Sequence, residues 1–92
     1  MNPDQIKQYV RMLVLDGKYS IEWQHIKQHG HHVEEYEIKT VLLHGRHVPD
    51  RDHPNRYNAF GTITPNKKIL VVYTLVERPD GMIVVVITAF ED

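Results

Sequence analysis

From Tyr57 to Phe90 the chain passes through short apolar runs, one after another, joined too tightly for anything but hairpins. The runs are Tyr57–Ile63 (YNAFGTI), Lys68–Val76 (KILVVYTLV) and Met82–Phe90 (MIVVVITAF). They are rich in β-branched residues and bounded by turn formers, which is the signature of strands. Thr64-Pro65-Asn66-Lys67 links the first pair, and Arg78-Pro79-Asp80-Gly81 lies in the second connection, where Asp-Gly suits the positive φ of a tight turn. A parallel crossover needs a dozen residues or more, so these strands are expected to pair antiparallel, in sequential order.

The first half reads as helices. Asn2-Pro3-Asp4-Gln5 makes a helix start, with Asn as cap, Pro in the first turn and Gln three residues on. Ile6, Tyr9, Val10, Leu13 and Val14 then share one face, and Gly17 is the expected stop. Ser20 is placed to cap a second, short helix, 21–29, burying Ile21, Ile26 and Trp23 and ended by Gly30. A third helix is expected over Val33–His44, with Glu34, Glu35 and Glu37 where the dipole favours acids and Ile38, Val41 and Leu42 as its inner stripe. Gly45 stops it. From Arg46 to Arg56 the chain is polar and carries Pro49 and Pro54, so it is expected as a loop with a brief edge strand at His47-Val48. The order, helices and then a meander, predicts an α+β fold: N-terminal helices packed on a small antiparallel β-meander sheet.

At 92 residues the chain is expected to be one domain, 1–92. It has no cysteine, which excludes disulfides, thiolate metal sites and cysteine nucleophiles. No run is apolar and long enough to span a bilayer, and the polar, early-acidic N-terminus does not read as a secretory signal. A cytoplasmic protein with no membrane partner is the expectation. The net charge of −1 argues against a surface dedicated wholly to nucleic acid.

Two of the strands are apolar on both faces. In Lys68–Val76, Ile69, Val71, Tyr73 and Leu75 point one way and Leu70, Val72, Thr74 and Val76 the other. A half-solvated strand would alternate with polar residues. Either the N-terminal helix covers the second face, or that face binds a second copy, as a homodimer through the sheet, or another protein.

His25-Ile26, His29-Gly30, Val33-Glu34-Glu35-Tyr36-Glu37-Ile38, Val41-Leu42-Leu43-His44-Gly45, Arg56-Tyr57, Gly61-Thr62, Lys68-Ile69-Leu70-Val71-Val72 and Val86-Ile87-Thr88-Ala89-Phe90-Glu91 occur in an order that resembles the BrnT-type toxins of the RelE/ParE superfamily. The resemblance is greater still to the small uncharacterised domains allied to them. It covers residues 19–91 and leaves the leading helix, 1–17, outside. It implies a RelE-like fold, an antitoxin-like protein partner, and a metal-independent endoribonuclease with no cofactor. The chain departs from the pattern where BrnT toxins follow Ile-Thr-Ala with a basic residue and a helical segment: Phe90 stands there instead. His31-His32 also replaces the usual Ser or Thr before the third helix.

RNA cleavage by an attacking 2′-hydroxyl requires a base, an acid and cations that stabilise the growing phosphate charge. The candidate catalytic residues are Arg56, Tyr57, His25 and His47, with Tyr73 as a further acid–base group. The candidate RNA-binding residues are Arg46, Arg51, Lys67 and Lys68. Arg56-Tyr57 is the sharpest pair, because it enters a strand directly after the polar loop. For each there is a plainer role: Lys67-Lys68 as a solvated turn, Tyr57 as a cross-strand packing residue. His25 and His29 would share a helix face, as metal ligands do, but no third ligand is placed and no Glu follows His25, so surface imidazoles are expected and no metal. The rival to the enzyme is a non-catalytic interaction or self-association domain of the same fold.

Overall fold

The computed structural model describes residues 1–28 and 32–92. It is an α+β protein of three helices and a five-stranded mixed sheet. The helices are α1 (Pro3–Leu15), α2 (Trp23–Gln28) and α3 (Glu35–His44). The strands are β1 (Tyr19–Ile21), β2 (Arg46–Pro49), β3 (Arg56–Thr64), β4 (Lys67–Arg78) and β5 (Gly81–Glu91), in the spatial order β1-β5-β4-β3-β2.

The expected meander is present, with each strand slightly longer than its apolar run. β3 pairs with β4 and β4 with β5, both antiparallel and in sequence order. Gly81 closes the β4–β5 hairpin at φ 120°, a conformation only glycine adopts freely. β5 carries a bulge: Val72 opposes Thr88 but Tyr73 opposes Val86, so Ile87 is the extra residue.

The expectation of a purely antiparallel sheet is corrected by β1, which runs parallel to β5 with Ser20 opposite Val85. Ser20 is therefore a strand residue and not a helix cap. The second helix starts at Trp23 rather than Ile21, and its expected end at His29 and Gly30 lies outside the described residues. The third helix begins at Glu35, after Glu34 as N-cap, two residues later than the apolar pattern suggests. The polar loop also shrinks: Arg46–Pro49 is a full edge strand on β3, leaving 50–55 as the connection.

All three helices lie on one face of the sheet. Ile6, Val10, Leu13 and Val14 of α1, Ile26 of α2, and Ile38, Val41 and Leu42 of α3 form a single core with Ala59, Ile69, Val71, Tyr73, Val84, Val86 and Ala89. Each large side chain so buried contributes roughly 1.5–3 kcal/mol. Asn2 caps α1 as expected: its side chain accepts from the Gln5 amide, and the Gln5 side chain accepts from the Asn2 amide. Polar contacts fix α1 beside α3. Lys7 Nζ and Arg11 donate to the carbonyls of His44 and Leu43, at 3.2 and 2.9 Å. Those carbonyls end α3, where the helix dipole favours cations. So α1 is held on the helical layer, and the alternative in which it covers the second face of the sheet does not occur. Close packing also explains Gly45. Its φ of −76° is ordinary, but a Cβ there would collide with the Phe60 carbonyl of β3 and come within 2.6 Å of the Val41 carbonyl.

Candidate binding surface

Strand alternation and register assign every sheet residue to the helix-covered inner face or the open outer face. On the outer face one cross-strand row reads Arg46, Phe60, Leu70, Phe90 from β2 to β5. The next reads Val48, Asn58, Val72, Thr88, and the third Arg56, Thr74, Val85, ending on Ser20 of β1. Beyond these, Val76 faces Ile83 and Arg78 faces Gly81. At the opposite end Lys68 faces Thr62. The apolar members of these rows, from Val48 to Phe90, neither belong to the core nor pack against it. Most are partly exposed, and Val85 is the most covered of them, at 9% exposure. The Arg46 guanidinium lies over the Phe60 ring, 5.5 Å from its centroid, where the ring's electron-rich face attracts a cation.

The inner face holds a buried polar chain. His47 is 1% exposed and lies opposite Ala59, under α3. Its Nε2 is 3.0 Å from the Leu42 carbonyl and its Nδ1 2.7 Å from the Tyr73 hydroxyl. A carbonyl only accepts, so Nε2 carries the proton and Nδ1 accepts from Tyr73. Burial holds the His47 pKa below its ordinary value, aided by the charge of Lys7, against the opposing pull of the Leu42 carbonyl. Burial, with Tyr57 adding to it, pushes the Tyr73 hydroxyl well above the usual phenol range. Tyr57 stacks on Tyr73 with ring centroids 5.5 Å apart.

A buried charge sits where α3 meets β4. Glu37 is 1% exposed. One carboxylate oxygen accepts from the Glu34 amide at 2.9 Å and the other lies 2.7 Å from Lys67 Nζ. Burial raises the Glu37 pKa, but the hydrogen bonds from Lys67 and the Glu34 amide outweigh it and the net shift is downward. The hydrogen bond to Glu37 raises the pKa of Lys67.

The sequence-derived site is thereby divided. Arg46, Arg56 and Lys68 share the outer face. Tyr57, His47 and Tyr73 share the inner face, and the sheet stands between Arg56 and Tyr57 although they are consecutive. Lys67 is paired to Glu37. Arg51 is exposed in the 50–55 loop, where the Asp50 carboxylate accepts from the amides of Asp52 and His53. His25 lies on α2 and is exposed. The proposed metal pair cannot be placed, because His29 is outside the described residues. Among the described residues no group of three or more His, Asp or Glu is gathered as a metal site would need. No helix among them is long and apolar enough to cross a membrane.

Sequence reasoning missed Arg78 and Phe60 as members of a common surface with Arg46. The hairpin alone did not give this: continued from Thr64 opposite Lys67 it would set Phe60 opposite Val71, and a register shift between Thr62 and Thr64 sets it opposite Leu70 instead. No protein-family model, curated protein or solved structure matches the chain.

Proposed function

We propose that this chain is a protein-interaction module whose working surface is the uncovered outer face of the sheet. The observation that carries this is an apolar surface spread over β2 to β5, outside the core, with all three described helices on the other side. Soluble domains rarely leave a contiguous apolar patch of this kind unless something docks there. The RelE-like arrangement expected from the sequence resemblance is compatible with this layering, and an antitoxin-like protein is the occupant that the resemblance implies.

The endoribonuclease is the second reading, favoured by Arg46, Arg56 and Lys68 on one face. It is weakened by the separation of its acid–base candidates. His47 has both ring nitrogens engaged and is withdrawn from solvent, so it cannot reach a substrate hydroxyl. An interaction module incubated with several RNAs in chelator should leave them intact. Cleavage that leaves a cyclic phosphate and falls about a hundredfold in Arg56→Ala, the scale of one lost charge-stabilising donor, would replace the interaction module with the enzyme.

A further inference from the structure

The charged strand positions of the outer face are all cations. Lys68 stands at one end of β4 and Arg78 at the other, and Arg46 and Arg56 line the β2–β3 side. No strand position on this face is a carboxylate. Carboxylates stand only just past the strand ends: Asp50, opposite Arg56, whose amide donates to the Arg56 carbonyl at 2.9 Å, Asp92, whose amide donates to the Lys68 carbonyl at 2.8 Å, and Glu22 after β1. We propose that the occupant of this face is an acidic amphipathic helix of a partner protein. Its apolar stripe would lie on Leu70, Val72 and Val76 of the central strand, and its flanking Asp and Glu would meet the rim cations. This inference rests on the interaction reading and names its partner class.

Size and charge favour this occupant. Ten residue steps of β4 separate Lys68 from Arg78, about 33 Å at strand rise. A helix of ~18 residues is about 27 Å long and fits between them. A second copy is disfavoured by symmetry. Turned over about an axis along the central strand, it would set Lys68 on Lys68 and Arg78 on Arg78. Turned about an axis across the strands, it would set Lys68 toward Arg78. Both bring cations together in a desolvated contact. Single-stranded RNA would match the charge but not the surface. Base stacking needs a run of aromatic faces, whereas the central stripe is aliphatic, Arg46 already lies over the Phe60 ring, and Phe90 adds a single further ring at one end of the face.

The test uses two synthetic helices of ~18 residues with the same Leu/Ile stripe, one flanked by Glu and the other by Lys, titrated into the full chain by fluorescence anisotropy. The Glu helix should bind at least tenfold more tightly at low salt, and the advantage should shrink as salt screens the rim. Reversing the rim with R46E, R56E, K68E and R78E together should invert the preference while the apolar stripe remains. Circular dichroism confirms that this variant is folded, and R56E/R78E alone should reduce the preference if the fourfold variant is not. Equal binding of the two helices, or displacement of the Glu helix by oligouridylate, overturns the acidic partner and leaves the docking face. If neither helix nor oligouridylate binds and light scattering shows only monomer, the interaction reading falls with it.

Discussion

Val71 and Val72 are consecutive residues of one strand and inhabit different solvents. Val71 is fully buried between β4 and the helical layer, while Val72 lies on the opposite side beside Leu70 and Asn58, outside the core. The whole sheet repeats this contrast. Its inner face is closed, with Ala59 and Ala89 leaving room for helices and with buried polar groups matched one to one: His47 to Tyr73 and Leu42, Glu37 to Lys67 and Glu34. Its outer face carries an apolar stripe too, set among polar residues, but none of the described helices covers it. Apolar character alone therefore does not identify a core. Coverage does, and in this chain coverage is decided by where α1 goes.

The largest effect that can test the contrast is a charge placed on each side. Val71→Asp puts a carboxylate where no partner exists, at a cost of several kcal/mol. A domain of this size has on the order of 5–10 kcal/mol to lose, so the variant should be largely unfolded or confined to inclusion bodies. Val72→Asp should keep the native circular dichroism spectrum and lose no more than about 1 kcal/mol, the span of strand propensity, while abolishing docking on the outer face. Equal damage from the two would mean that the outer face is not open.

What the sequence disclosed follows from how local each signal is. The meander was legible because Lys68–Val76 and Met82–Phe90 announce strands and their connections leave one pairing. The helix α1 was legible from its cap and stripe. The strand β1 was not, since Tyr19–Ile21 is three residues whose pairing partner lies more than sixty positions away, at Val84 to Val86. The bulge at Ile87 was hidden in a run in which Thr88 is the one polar residue. His47 read as an edge-strand residue and a catalytic candidate, because its burial depends on how β2 pairs with β3 and on a tyrosine from β4. The side taken by α1 rests on Lys7 and Arg11 reaching the end of α3, which periodicity does not encode. The candidate site failed for a related reason: Arg56 and Tyr57 are adjacent in sequence, and adjacency in a strand means opposite faces.

An intermediate effect sharpens the account of the inner face. Tyr73→Phe removes the donor to His47 Nδ1 and leaves a buried nitrogen unsatisfied, which should cost about 1–3 kcal/mol in urea denaturation. His47 should also make stability pH-dependent. Its folded pKa is lowered by burial, so below its ordinary value of about 6.5 the unfolded chain binds a proton that the folded chain refuses. Stability should be flat above neutrality and fall as pH drops through 6.5 toward 5. Glu37, whose pKa is lowered in the fold, adds a further loss only below the carboxylate range. The part of the slope near pH 6 that vanishes in His47→Gln belongs to His47, and an unchanged slope would show that the imidazole is protonated freely in the folded state.

The smallest effect is the most discriminating, because it changes the same side chain by the same atoms on each side of one strand. Val71→Ala removes two methyl groups from a packed interior, losing their transfer free energy and leaving a cavity, and should cost about 1.5–2.5 kcal/mol. Val72→Ala removes the same groups from a surface that water already reaches. Little burial is lost and no cavity forms, so the change should lie within about 0.5 kcal/mol. In the presence of the Glu-flanked helix, the order should reverse for binding: Val72→Ala should weaken it several-fold, whereas a folded Val71→Ala should bind like the wild type. Denaturation midpoints and anisotropy titrations on the two variants measure both quantities, and a Val72→Ala variant that loses stability rather than affinity would make the outer face a part of the core.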